Sequence, residues 1–112
     1  MPTFRQGQVV RVPFPYTHRN TRQHRLALVV SDGAVGEGGA LLWVAMITSA
    51  ENRGWPGDHP IAAFAEVGLP IPSVVRSTKI TTVEARDAEP VGQLDEGPIA
   101  QVMATVAGLL GR

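Results

Sequence analysis

With 112 residues and no cysteine, the chain has room for one hydrophobic core and must hold it by packing alone, without disulfides or thiolate metal ligands. Hydrophobic residues make up 44% of it, yet no apolar run approaches the roughly 20 residues of a bilayer-spanning helix, so we expect one soluble domain and no membrane insertion. A formal net charge of zero argues against wholesale electrostatic capture of nucleic acid.

The charges are nevertheless segregated along the chain. Met1 to Ser31 carries Arg5, Arg11, Arg19, Arg22 and Arg25 with no acid, whereas Glu84 to Glu96 carries five acids against Arg86 alone. That predicts a basic N-terminal surface suited to a polyanion and an acidic C-terminal one. The opening Met1-Pro2-Thr3-Phe4-Arg5 lacks the long apolar segment of a secretory signal, which predicts a cytoplasmic protein.

Gly7 to Phe14 reads as a first strand, rich in β-branched Val9, Val10 and Val12, with Pro13 and Pro15 ending its regular pairing. Tyr16 to His24 is polar and without apolar periodicity, which predicts an exposed loop of the kind that carries function. Arg25 to Ser31 is apolar enough for a strand buried on both faces. The turn residues Asp32 to Gly39 lead to a third strand over Ala40 to Thr48, and a second loop runs from Ser49 to Gly57. A short extended stretch near His59 to Ala62 and a longer strand over Ser73 to Glu84 follow. The period then changes: Ile99, Val102, Met103, Val106, Leu109 and Leu110 recur at three- and four-residue steps, an amphipathic helix with Asp95 as its N-cap. Many strands followed by one helix predict a mainly β fold, a twisted antiparallel sheet or small open barrel closed on one side by the helix.

Arg25 heads the second strand, and Thr48-Ser49 ends the third. If those strands are neighbours, a guanidinium and two hydroxyls converge at one sheet edge. A planar fork of donors with a permanent charge, joined by neutral hydroxyl donors, suits phosphate oxygens. Three histidines without helical ligand spacing, and no cysteine, give no metal-site pattern. Trp55, between Gly54 and Pro56, suits stacking on a base or packing over a barrel end, and His59 before Pro60 reads as structural.

Four segments together resemble the MazF/PemK-like toxins of bacterial toxin-antitoxin modules. These are Gly7-Gln8-Val9-Val10-Arg11-Val12-Pro13-Phe14-Pro15, Arg25-Leu26-Ala27-Leu28-Val29-Val30-Ser31, Ala45-Met46-Ile47-Thr48-Ser49, and Gly68-Leu69 with Ser73-Val74-Val75-Arg76 and Lys79-Ile80-Thr81-Thr82-Val83. The resemblance implies an SH3-like barrel, usually a homodimer with a cognate antitoxin as partner. It also implies a metal-independent endoribonuclease without a cofactor that cuts single-stranded messenger RNA to 2′,3′-cyclic phosphate and 5′-hydroxyl ends. Carried over, Arg25 and Thr48 take the catalytic positions with Ser49 beside them, and Gln8, Lys79 and the loop with His18, Arg19 and Arg22 would lie on the RNA groove with Trp55. Leu26 stands where the family has proline, and no acid occupies the first loop, so the proton acceptor stays open between His24 and His18. Strand alternation would turn His24 to the face opposite Arg25. Two other readings remain: a gyrase poison like the CcdB toxins, and a non-cutting module that binds RNA or antitoxin.

Overall fold

The computed structural model describes residues 3–15 and 22–112, the positions of Phe14, Pro15, Arg22 and Gln23 by backbone alone. Six strands form one antiparallel sheet in the order β4-β5-β3-β2-β1-β6, with β1 Gln8–Pro15, β2 Arg22–Val29, β3 Leu41–Ser49, β4 Asp58–Ile61, β5 Ser73–Glu84 and β6 Glu89–Gln93. Helix α1, Glu96–Leu109, ends the chain. The mainly β architecture with one C-terminal helix is as expected.

Alternation sorts the strand residues into two cores. Val9, Leu28, Val30, Ala45, Ile47 and Val75 face Val102 and Val106 of α1, with Ile99 and Met103 packed against them. Val10, Val12, Ala27, Val29, Leu42 and Val44 face the other way, onto Phe4, Ala85 and Ala88. Each fully buried Val or Leu contributes about 1.5 to 3 kcal/mol of transfer free energy. Residues 85–88, partly a tight 3-10 turn, carry the chain from β5 to β6, although β3, β2 and β1 lie between those strands in the sheet. Four strand spacings of about 4.8 Å would exceed the reach of such a link, so the sheet must curl.

Several boundaries differ from the expectation. Pairing of β1 with β2 continues through Pro13↔His24 and Pro15↔Arg22, so β2 begins at Arg22 rather than Arg25. The prolines are tolerated because β6 pairs with β1 only as far as Arg11, leaving Pro13 and Pro15 with a partner on one side. Strand β6 was not expected, and it sets one acid of the C-terminal stretch beside one base of the N-terminal stretch, Glu89 lying opposite Arg11 in the ladder. Asp95 does take the N-cap position, with extended backbone, but its side chain makes no capping hydrogen bond. Leu109 and Leu110, read as part of the helix's apolar face, are exposed at its C-terminal end.

Candidate functional site

Ladder pairing between β2 and β3 covers only Ala27↔Met46, Leu28↔Ala45 and Val29↔Val44. Beyond Ala27 and Met46 the two strands part, one staying with β1 and the other with β5. A cavity of about 470 Å³ opens there, with Arg25, Thr48 and Ser49 among its lining. Arg25 and Thr48 each lie two residues past the last β2–β3 pair. Because the cavity lies across strand ends, residues of both alternation classes reach it, and His24 lines it too. The expectation that alternation would turn His24 away from the cleft therefore does not hold.

Lys79 also lines the cavity, and a bulge puts it there. Ala45 pairs with Ile80 but the next residue, Met46, pairs with Arg76, so residues 77–79 bow out of the ladder. No carboxylate lines the cavity among the described residues, while Arg25, Arg76 and Lys79 all do. The surroundings are those of an anion site, and the carboxylates that anchor a divalent cation are missing from the lining among the described residues.

Arg76 is the residue the sequence reading left without a role. Its Nε donates to Asp58 Oδ1 at 3.1 Å and its Nη2 to Asp58 Oδ2 at 3.0 Å, a bidentate pair with side chains 8% and 11% exposed. The same Nη2 donates to the Arg53 carbonyl at 2.7 Å, and the guanidinium lies 4.0 Å from the centre of the Trp55 ring. The hydrogen bond from Arg76 is the largest influence on Asp58 and, with a backbone N–H from Trp55, holds its carboxyl below the ordinary value of 3.8 despite burial. Arg76 thus pins the loop after β3 to the barrel.

That loop reaches back to the site. Asn52 Nδ2 donates to Thr48 Oγ1 at 2.6 Å, and the Glu51 N–H donates to Ser49 Oγ at 3.2 Å. Asn52 and Asp58 were also without an assigned role in the sequence. Asn52 lies four residues from Thr48, a spacing that a tight turn closes. The partnership of Asp58 with Arg76 spans eighteen residues and leaves no local signature.

The remaining candidates are placed elsewhere. Gln8 accepts from the Arg5 N–H at 3.2 Å, four residues along β1 from Val12, the partner of Arg25. That separation is about 13 Å along the strand, and Gln8 is not part of the cavity lining. Trp55 presents one face to Arg76 and is 37% exposed. His18 and Arg19 lie outside the described residues, as does the side chain of Arg22. His59 ties β4 to α1 through a 2.7 Å hydrogen bond between Nε2 and Thr105 Oγ1, a structural role as expected.

A small SH3-like barrel, backed by one helix and split at one end into a cationic, hydroxyl-lined cleft, is the class of protein that these features define. The family model of PemK-like, MazF-like toxins of type II toxin-antitoxin systems matches residues 5–110, and the chain belongs to that family. Among solved structures, MazF from Deinococcus radiodurans is similar with a TM-score of 0.78 at 23% identity, covering 100% of both chains. The MazE-MazF complex from the same organism matches with a TM-score of 0.76 at 24% identity over 99% of this chain and 98% of that one. An endoribonuclease in complex with its cognate antitoxin from a mycobacterial species gives 0.73 at 19% identity, covering 99% and 96%. At these identities the likeness establishes the fold. No curated protein sequence matches the chain.

Proposed function

We propose that this toxin is an endoribonuclease that cuts single-stranded RNA without a metal, through attack of a 2′-hydroxyl on the adjacent phosphorus. One observation carries the reading: Arg25 and Thr48 line the same cleft, and no carboxylate among the described residues lines it with them. In the reaction a P–O2′ bond forms and the P–O5′ bond breaks, the departing O5′ taking a proton from solvent, which leaves a 2′,3′-cyclic phosphate and a 5′-hydroxyl. The guanidinium of Arg25 neutralises charge building on the non-bridging oxygens, and the Thr48 and Ser49 hydroxyls donate to them. Lys79 adds positive charge to the path of the RNA backbone. His24, in the same lining, is the imidazole placed to take the 2′-hydroxyl proton.

Family membership supports a cognate antitoxin as partner and a homodimer as the working form. An apolar groove of about 520 Å³ lined by Trp43, Ile80, Met103, Val106 and Leu110 offers surface for such pairing. The test is incubation of the purified protein with mixed single-stranded RNA in EDTA, followed by end mapping. Cleavage with 5′-hydroxyl ends is expected. Arg25→Ala should slow it at least about a hundredfold, by analogy with the loss of one oxyanion donor, and Arg25→Lys should fail to restore it because an ammonium cannot reproduce the fork. Binding without cleavage would instead leave an RNA- or antitoxin-binding module, and the absence of both binding and cleavage would point to a gyrase poison.

A further inference from the structure

We infer that Asn52 is a positioning residue, which commits the Thr48 hydroxyl to donate its proton into the cleft. The inference rests on the nuclease reading above and adds to it how the hydroxyls are aimed. A hydroxyl has one hydrogen to give and lone pairs to receive. The Asn52 amide donates into Thr48 Oγ1 at 2.6 Å, so that direction is used for acceptance and the Thr48 hydrogen must find another acceptor. Thr48 lines the cavity together with Asn52, and an incoming non-bridging phosphoryl oxygen supplies the acceptor. Ser49 is set in the same sense, because its Oγ accepts from the Glu51 N–H at 3.2 Å. Both hydroxyls therefore receive from the loop and are left to give to the cleft.

The loop is fixed at both ends. At its start the Ala50 N–H donates to the Pro72 carbonyl at 3.0 Å and the Asn52 N–H to the Ser49 carbonyl at 3.1 Å. Farther on, Arg76 takes the Arg53 carbonyl and stacks on Trp55, and the Trp55 N–H donates to Asp58 Oδ2 at 2.9 Å. A donor held in place before the substrate arrives costs no reorganisation during the reaction, which is the condition for an effective oxyanion-type contact. Asn52 itself is exposed, so replacing it removes little packing.

The experiment measures single-turnover RNA cleavage by the full chain carrying Asn52→Ala or Asn52→Asp, each alone and combined with Thr48→Val, with thermal unfolding of each variant. Asn52→Ala should lower the rate constant roughly threefold to tenfold at an unchanged melting temperature, since the freed hydroxyl spends part of its time turned away. Asn52→Asp should lower it further, roughly tenfold to a hundredfold, because a carboxylate only accepts and takes the Thr48 hydrogen for itself. In the Thr48→Val background Asn52→Ala should cost nothing more, the signature of a residue acting through another. Three results overturn the inference while leaving the nuclease reading intact: a wild-type rate for Asn52→Ala, full activity of Asn52→Asp, or an Asn52→Ala loss that persists beside Thr48→Val. Full activity of Asn52→Asp would mean that the amide oxygen faces Thr48. Absence of cleavage by the unsubstituted protein would bring down the nuclease reading, and this inference with it.

Discussion

At the open end of the barrel, a single guanidinium binds Asp58 through two nitrogens, takes the Arg53 carbonyl and lies on Trp55. Along the seam where β6 meets the turn Phe64–Val67, backbone lies directly on backbone. A Cβ on Gly68, at φ +86°, would sit 2.7 Å from the Val91 carbonyl oxygen, and one on Gly92 would overlap the Val67 carbonyl. The open end is held by directed polar bonds to one node, and the seam by the absence of two side chains. The first arrangement aims a loop at a substrate site and concentrates the loss in one residue. The second closes an edge strand that has few apolar side chains of its own, Val91 being 37% exposed.

The largest expected effect is therefore at the node. Arg76→Ala leaves the Asp58 carboxylate nine-tenths buried without its partner, and breaking such a pair costs about 3 to 5 kcal/mol. Urea unfolding should show a lower midpoint at unchanged slope. Arg76→Lys should recover little of it, because an ammonium offers neither the bidentate fork nor the stack on Trp55. A loss below about 1 kcal/mol would mean that the loop is held by something other than this residue.

At the seam, Gly92→Ala should destabilise by about 1 to 3 kcal/mol, since a methyl group must displace the Val67 carbonyl. The loss should be local: hydrogen exchange should quicken first at the amides of β6 and of Leu94, whose N–H donates to the Gly7 carbonyl at 2.9 Å. Gly108→Ala is the control. It lies within α1, a Cβ there meets nothing within 4 Å, and the helix should gain up to about 1 kcal/mol. Equal behaviour of the two variants would remove close approach as the reason for Gly92.

The difference between these regions also explains what the sequence could and could not reveal. Strands β3 and β5 and the helix were legible because apolar periodicity is a local signal. β5 runs from Ser73 to Glu84 as expected, and β3 is offset by one residue at each end. Strand β6 was not, since Glu-Pro-Val-Gly-Gln has no periodicity and its place is fixed by the turn it lies against and by β1. In the cleft, Arg25 and Thr48 could be paired from strand order and family likeness. That His24 shares their cavity depends on β2 and β3 parting after Ala27, a feature of three-dimensional pairing that alternation cannot express. Arg76 looked like one more residue of a β-branched strand, because Asp58 at the start of β4, and Arg53 and Trp55 in the loop before it, lie far away in the chain.

The smallest effect is a difference in acid response, and it separates the two regions by mechanism rather than by magnitude. Asp58 titrates below its ordinary 3.8, chiefly because of the hydrogen bond from Arg76. With a folded pKa below the unfolded one, the unfolded chain binds more protons between the two values, so this contribution is complete above about pH 4 to 5 and is lost as pH falls through the folded value. Asp58→Asn carries no such term. Urea midpoints measured from pH 7 down to pH 2 should show wild type above Asp58→Asn at neutral pH and the two curves drawing together below about pH 4. The deficit of Gly92→Ala relative to wild type should stay constant across the same range, because a steric conflict between backbone atoms binds no proton. Parallel acid limbs for wild type and Asp58→Asn would show that the carboxylate is not what ties the open end to Arg76, and the contrast between a polar node and a steric seam would then have lost its first member.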